Sequence, residues 1–153
     1  LDLALVEAAF AKAEQADQLG HSEEAITAYR RVCQLSRGPY LEGLYFDWVI
    51  ERRRELDGQL LTALTRLAYL LCQSRAYQEA MEHAQRATLL APDDQNSHLL
   101  KMRCYLGLGQ PEAVLRHFQN FERYLRQEFG FEPNTELVEL CVRAKHGLPD
   151  KAQ

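Results

Sequence analysis

The dominant pattern along the chain is an apolar residue at every third or fourth position, which is the spacing of one face of an α-helix. No stretch alternates apolar and polar residues with the period of a β-strand. One long stripe runs from about residue 46 to about residue 74 and predicts a helix of about 40 Å, because each helical residue rises about 1.5 Å. Over the whole chain, the pattern predicts an all-α fold of about seven helices.

Capping and turn residues divide this pattern into separate helices. Ser22 precedes an apolar stripe and is predicted to be an N-cap, and Asp93 or Asp94 is expected to cap a later helix. Gly130 stands between two phenylalanines after another stripe. It predicts a helix end in the left-handed conformation, with the two rings packed across the turn.

Two stretches of the chain resemble each other: "LGHSEEAITAYRRV" at residues 19–32 and "SRAYQEAMEHAQRA" at residues 74–87. Their small residues Ala25 and Ala80 align, and Ala113 occupies the same place in a third, weaker copy. Such pairs resemble the tetratricopeptide pattern of about 34 residues, and about three pairs are needed to bury a continuous core. We therefore expect a tetratricopeptide-like stack of about three antiparallel helix pairs plus a C-terminal helix.

The spacing of these repeats is uneven. Ala25 and Ala80 are 55 residues apart, whereas Ala80 and Ala113 are 33 residues apart. The extra residues form the segment "GPYLEGLYFDWVIERRREL", residues 38–56, which contains the only tryptophan, Trp48.

Aromatic residues are concentrated in this extra segment, which allows two interpretations. The one we prefer is packing: Trp48 would wedge between the long helix and the first helix pair, with its indole N–H on an acceptor. The alternative is an exposed aromatic patch that docks a partner. The run "ERRRE", residues 51–55, predicts a solvated face with weak ion pairs, with partner binding or DNA-backbone contact as the alternative.

Composition limits the classes of function. The chain has 153 residues, which fits one domain, and its net charge of −4 makes it a poor DNA binder by itself. No apolar run approaches the roughly 20 residues that a membrane-spanning helix needs. The chain begins at Leu1 and carries no signal peptide, so we expect a cytoplasmic fragment of a longer protein.

Residues with catalytic or metal-binding chemistry are scattered along the chain. The histidines show no HExxH spacing and no CxxC pair occurs, since neighbouring cysteines lie more than 30 residues apart, at Cys33, Cys72, Cys104 and Cys141. We interpret the cysteines as core residues in a reducing cytoplasm, with a disulfide or metal role as the alternative. Without a phosphate-binding glycine loop or a catalytic pair, the sequence predicts no enzyme, no cofactor and no metal site.

Two motifs carry a resemblance to a known family. The first contains Gly38, Pro39, Tyr40, Leu41, Gly43, Trp48, Glu51, Arg52 and Leu56. The second is "FGFEPNTEL", which includes Gly130, Glu132, Pro133 and Leu137, with Phe129 in place of the usual leucine. With a helix pair between them, they resemble the bacterial transcriptional activator domain of SARP-type and related response regulators, over about residues 2–146.

This resemblance implies a tetratricopeptide-like effector module that usually follows a winged-helix DNA-binding domain. Such a module supports activation through protein contacts or self-association. The implied partners are the transcription machinery, the activator's own other domains or another subunit, while DNA is bound only through the upstream domain and no membrane is involved. We expect the module to occupy residues 1–148 and to be followed by a disordered tail at residues 149–153.

Stacked helix pairs leave a groove lined by the first helix of each pair. Counting from the aligned alanines places eight residues near this groove: Phe10, Asp17, Thr65, Tyr69, Gln73, His98, Met102 and Tyr105. Five of them are our candidate partner-binding residues: Tyr69, Gln73, His98, Met102 and Tyr105. Alternatively, some of them pack against the next helix. The alternative function is a general tetratricopeptide scaffold, unrelated to transcription, that binds a peptide or partner protein in its concave groove.

Overall fold

The computed structural model describes residues 1–38, 40 and 43–151, and over these residues the chain forms seven α-helices and no strand. The helices are α1 (Leu3–Gln18), α2 (Ser22–Leu35), α3 (Asp47–Gln73), α4 (Tyr77–Leu90), α5 (Gln95–Gly107), α6 (Pro111–Phe129) and α7 (Thr135–Lys145). The prediction of an all-α fold with about seven helices is confirmed. The chain divides into two compact units, Leu1–Leu70 and Leu71–Gln153, and α3 continues from the first into the second.

In the first unit, α1 and α2 pack against each other along a face of small residues. Ala13 on α1 and Ala25 on α2 are both fully buried. Because neither side chain extends beyond Cβ, the two helix backbones can approach closely. The larger residues Tyr29 and Val32 fill the rest of the buried face of α2.

In the second unit, α5, α6 and α7 enclose a hydrophobic core. α6 supplies its main stripe, with Val114, Phe118, Phe121 and Leu125 on one helical face. Ala113 is only half-buried, whereas its neighbour Val114 has no exposed surface. The third copy therefore buries the residue after the aligned alanine, which agrees with its weaker match in the sequence.

Two of the three predicted capping features are confirmed. The Asp94 carboxylate accepts the Ser97 backbone N–H at 3.0 Å and caps α5. Gly130 ends α6 in the left-handed conformation with φ of 68°, which glycine adopts without a Cβ clash. The rings of Phe129 and Phe131 stack across it at 5.9 Å between centroids.

The third capping prediction, Ser22 as an N-cap, is wrong. The His21 carbonyl already accepts the Ala25 N–H at 2.9 Å, so α2 begins one residue earlier than Ser22 would allow as a cap. Ser22 is the first helical residue, and His21 is the cap, although its side chain accepts no hydrogen bond from the first turn of the helix.

The C-terminal residues differ from the expected disordered tail as far as Lys151. The Pro149 carbonyl accepts the Arg143 Nε–H at 2.5 Å. The Asp150 carboxylate is buried and lies 2.8 Å from Arg103 Nε in an ion pair with α5. Lys151 Nζ also lies 3.3 Å from a carboxylate oxygen of Glu139 on α7. These contacts with the helices hold the stretch, and the last two residues of the expected tail, 152 and 153, lie outside the described residues.

Candidate protein-interaction surfaces

Four large apolar residues before and at the start of α3 face solvent, and we call them the aromatic segment: Leu44, Tyr45, Phe46 and Trp48. Tyr45 is 79% exposed, Phe46 62% and Trp48 63%. The prediction that Trp48 packs inside the fold is therefore wrong. Because successive helical residues point about 100° apart, burying Val49, which has no exposed surface, turns Trp48 outward.

The backbone of the aromatic segment is held in place although its side chains are exposed. The Arg53 guanidinium donates to the Tyr40 carbonyl at 3.2 Å and to the Leu44 carbonyl at 2.9 Å. The Phe46 carbonyl accepts the N–H groups of Val49 and Ile50 at the start of α3. The rings thus project from a backbone that is hydrogen-bonded to α3, and such preorganisation lowers the entropy cost of binding.

The charged run after the aromatic segment forms ion pairs, as expected for a solvated face. Arg52 pairs with Glu55 at 2.5 Å on the same helix face, and also with Glu7 of α1. Arg52 therefore links α3 to α1 in the first unit.

A charged network lies between the three helices of the first unit. The Arg66 guanidinium on α3 donates to both carboxylate oxygens of Asp17 on α1, at 2.7 and 2.8 Å. The Tyr29 hydroxyl on α2 donates to the same carboxylate at 2.9 Å. Arg66 also stacks on the ring of Tyr69, 4.7 Å from its centroid, so this candidate residue adjoins the network.

Hydrogen bonding and burial shift the pKa of Asp17 and Tyr29 in this network. The Arg66 guanidinium holds the pKa of Asp17 below its ordinary value, and the Tyr29 hydroxyl acts in the same direction. Burial, followed by the neighbouring Asp17 carboxylate, raises the pKa of Tyr29. Asp17 is therefore a stable anion at neutral pH, and Tyr29 remains a hydrogen-bond donor.

In the second unit, His98 of α5 and His117 of α6 form a pair. His98 Nδ1 lies 2.9 Å from His117 Nε2, and His98 Nε2 lies 2.8 Å from the Pro92 carbonyl oxygen. The His98 ring stacks on Phe121 at 3.7 Å between centroids. These side chains line a small pocket of about 250 Å³ together with Pro92, Asn120 and Tyr124.

The hydrogen-bond partners show which ring nitrogens of the two histidines carry a proton. A carbonyl oxygen can only accept, so His98 Nε2 carries a proton, and its Nδ1 then accepts from His117 Nε2–H. Burial lowers the pKa of His98, and it lowers the pKa of His117 to about 4, with the neighbouring His98 and Lys101 acting in the same direction. Both rings are neutral at pH 7.

The remaining candidate residues of the groove fall into different environments. Gln73 is exposed at the end of α3, and Tyr105 on α5 is half-buried, with its ring 6.2 Å from that of His117. Met102 has no exposed surface and packs in the core of the second unit, so it presents nothing to a partner. For Met102, the alternative interpretation, packing against a neighbouring helix, is therefore the correct one, because this residue lies on the core-facing side of α5.

All four cysteines lie in the described part of the chain, and none forms a disulfide bond. Cys33, Cys104 and Cys141 are buried, as the interpretation as core residues predicts. Cys72 is half-buried, and its Sγ lies 3.7 Å from that of Cys104. Sequence spacing did not indicate this contact, because only the fold brings α3 and α5 together. Among the described residues, no group of three or more potential ligands could hold a metal ion.

Comparison with models of known protein families gives a match over most of the chain. A model described as the bacterial transcriptional activator domain matches residues 1–143. The chain belongs to the bacterial transcriptional activator domain family.

In this bacterial transcriptional activator domain, the two family motifs occupy well-defined positions. The second motif forms the turn after α6, where Gly130 adopts the left-handed conformation and Pro133 precedes α7. In the first motif, Gly43 forms a turn with φ of 77°. Gly38 lies close to the N-terminus of the chain, with Leu1 N 3.9 Å from a Cβ built on it. Two further motif residues, Pro39 and Leu41, lie outside the described residues.

Among solved structures, this bacterial transcriptional activator domain is similar to the TPR2B-domain:pHsp70-complex of yeast Sti1. The sequence identity is 14%, the TM-score is 0.65, and the match covers 94% of this chain and 98% of that chain. The similarity confirms the tetratricopeptide-like fold. No curated protein matches the chain. No helix in the described residues has the length and apolar character to cross a membrane.

Proposed function

We propose that this domain is a non-enzymatic, cytoplasmic protein-contact module that follows a winged-helix DNA-binding domain in a bacterial transcriptional activator. It supports activation by contacting the transcription machinery, the activator's other domains or another subunit. The observation that carries the proposal is the aromatic segment, exposed and supported by Arg53, in a chain of this family. Exposed aromatic residues on an ordered backbone are typical anchors of protein interfaces.

Charge favours a protein partner over DNA for this domain. Its net charge is −4, while duplex DNA is bound chiefly through basic side chains on phosphates. Arg52 and Arg66 are both committed to carboxylates within the fold. We therefore expect no sequence-selective DNA binding by this chain, and assign DNA recognition to the upstream domain.

A second candidate function is that of a general tetratricopeptide scaffold that holds a peptide. The observation that favours it is the pocket beside His98 and His117, an apolar cavity bordered by aromatic rings in the second unit. Gln73, His98 and Tyr105, which all lie in this unit, would then contact the peptide. Met102 is left out because it is buried.

Binding measurements on the immobilised chain separate these functions. The probes are purified RNA polymerase holoenzyme from the source organism, the same chain in solution, and duplex DNA of random sequence. Our proposal predicts saturable binding to a protein probe that falls at least about tenfold in a Phe46→Ser/Trp48→Ser variant. Leu19→Ser, which changes another exposed apolar residue of the first unit, is the matched control and retains binding.

Other outcomes of the same measurements would redirect the assignment. Loss of protein binding in His98→Ala or Tyr105→Ala, with the aromatic variant unaffected, would favour the scaffold function. Sequence-selective binding to a DNA library, with no binding to either protein probe, would overturn the proposal.

A further inference from the structure

The pair of thiols in the second unit has no part in the proposed function, and its geometry is suited to reversible chemistry. Cys72 lies in the last turn of α3 and Cys104 lies near the C-terminal end of α5. Their sulfur atoms are 3.7 Å apart. A disulfide bond has a sulfur–sulfur distance of about 2.05 Å, so the two side chains must close by less than about 2 Å. We propose that Cys72 and Cys104 form a site of reversible disulfide formation in response to a hydroperoxide.

The surroundings of the two thiols indicate which one reacts with the peroxide and which one then forms the disulfide. Cys72 is half-buried and thus open to a small oxidant, whereas Cys104 has no exposed surface. The hydrogen bond from Cys104 lowers the pKa of Cys72, and the nearby Arg103 guanidinium acts in the same direction. The same contact, together with burial, raises the pKa of Cys104. Cys72 is therefore the thiol that reacts first, and Cys104 is the thiol that resolves.

The reaction balances with the hydroperoxide as the only oxidant. The Cys72 thiolate attacks the terminal oxygen of the hydroperoxide: a sulfur–oxygen bond forms, the oxygen–oxygen bond breaks, and the departing alkoxide takes a proton to become an alcohol. The product is a sulfenic acid on Cys72. The Cys104 sulfur then attacks the Cys72 sulfur, hydroxide leaves, and it takes the Cys104 proton to become water. Two electrons pass from the two thiols to the peroxide.

The two cysteines differ in their position within their helices. Cys72 is one residue from the end of α3, and the turn that follows contains Arg75 with a positive φ of 62°. Cys104 lies on α5, which packs against both α4 and α6. We therefore expect the end of α3 to move toward α5 when the bond closes. In a reducing cell, thiol exchange would reopen it, as is usual for transient cytosolic disulfides.

The test is oxidation of the folded chain with hydrogen peroxide near stoichiometric concentration, followed by alkylation, digestion without reductant and mass spectrometry. The expected result is a Cys72–Cys104 cross-linked peptide that dithiothreitol removes. Cys72→Ser abolishes cross-linking, and Cys104→Ser leaves a sulfenic acid on Cys72 that dimedone labels at least about tenfold more than in the wild type. Cys141→Ser, which changes a buried thiol of the same unit, is the control and retains the cross-link.

Three results would overturn the proposal. They are a cross-link between other cysteines, oxidation of Cys72 to sulfinic acid without a cross-link, and no peroxide reaction in a wild-type chain whose helical circular dichroism is intact. Cys72→Ser changes a half-buried position and is expected to fold, so its circular dichroism also verifies that lost cross-linking reflects the missing thiol.

Discussion

Each of the two units of the domain contains a cluster of hydrogen-bonded polar side chains that joins helices. The two clusters differ in whether their side chains are charged. In the first unit, Asp17 is an anion that accepts hydrogen bonds from Arg66 and Tyr29. In the second, His98 and His117 are neutral rings: His117 donates a hydrogen bond to His98, and His98 donates one to a backbone carbonyl. The first cluster needs charge, and the second needs its absence.

The difference follows from solvent access and from the available partners. The Arg66 side chain is 42% exposed, so its charge remains partly hydrated while it binds Asp17. His117 is surrounded by aromatic rings, with Lys101 nearby, and no carboxylate is among the groups that shift its pKa. Protonating it would place an unpaired cation among apolar side chains, which is costly. Removing a partner should therefore break the first cluster, and lowering the pH should break the second.

The largest expected effect is that of Asp17→Ala. The substitution leaves the Tyr29 hydroxyl and the Arg66 guanidinium without their shared acceptor, and we expect the free energy of unfolding to fall by roughly 2–3 kcal/mol. Urea denaturation followed by circular dichroism measures it. Arg52→Met, which removes two ion pairs at the surface of the same unit, is the comparison and should cost less. An equal loss in both variants would show that Asp17 is an ordinary surface charge.

A smaller effect is expected from acid in the second unit. The pKa of His117 is about 4 in the folded domain, against an ordinary value of 6.5, so the unfolded chain binds its proton first as the pH falls. Stability is complete above about pH 6.5 and should decrease by roughly 1–3 kcal/mol as the pH drops to about 4. His117→Gln cannot titrate and should flatten this part of the pH profile. An unchanged slope in that variant would contradict the assignment.

The charged cluster should respond to acid in a different window. The pKa of Asp17 is lowered in the fold, so the unfolded chain takes up this proton first, near its ordinary pKa of 3.8. The stability that Asp17 contributes is complete above that pH and is lost as the pH falls through the lowered pKa. In Asp17→Asn, the dependence of the free energy of unfolding on pH should therefore become weaker below about pH 4.5. A change that occurs only above this pH would contradict the assignment.

The smallest expected effect is that of Trp48→Ala, which gives the baseline for both clusters. Trp48 contacts neither cluster in the described interactions and is 63% exposed, so the free energy of unfolding should change by no more than about 0.5 kcal/mol. Tryptophan fluorescence of the wild type should be red-shifted, as for an indole in water. A blue-shifted emission together with a loss of several kcal/mol would restore the packing interpretation.

Local signals in the sequence predict much of the fold. The helical period gives the number of helices, and Asp94 and Gly130 mark their ends because a cap or a left-handed turn depends on residues a few positions away. The helical period also places Val49 in the apolar stripe of the long helix, where it is buried, but the concentration of aromatic residues beside it led to the wrong prediction that Trp48 is buried as well. Counting from aligned alanines likewise places Met102 in a groove, although that side of α5 faces the core.

The contacts between polar side chains and between thiols in each unit cannot be predicted from local sequence patterns, because they join residues that are far apart in the chain. Asp17 and Arg66 are 49 residues apart in the chain, and Cys72 and Cys104 are 32 apart. One signal was available for the histidine pair: Lys101 and His117 occupy positions where a repeat of this kind has small or apolar residues. Such departures from a repeat mark places where polar groups enter the interior, but only the fold shows that His117 meets His98 there.

The central claim, that the domain acts through protein contacts made by the aromatic segment, is tested most directly in the activator that we propose contains this domain. Promoter occupancy and transcript output are measured side by side for the wild type, Phe46→Ser/Trp48→Ser and the Leu19→Ser control. We predict that the aromatic variant retains wild-type occupancy and protein level while transcript output falls at least about tenfold, and that the control retains both. Unchanged transcript output in the aromatic variant, or an equal loss of occupancy and output, would contradict the claim.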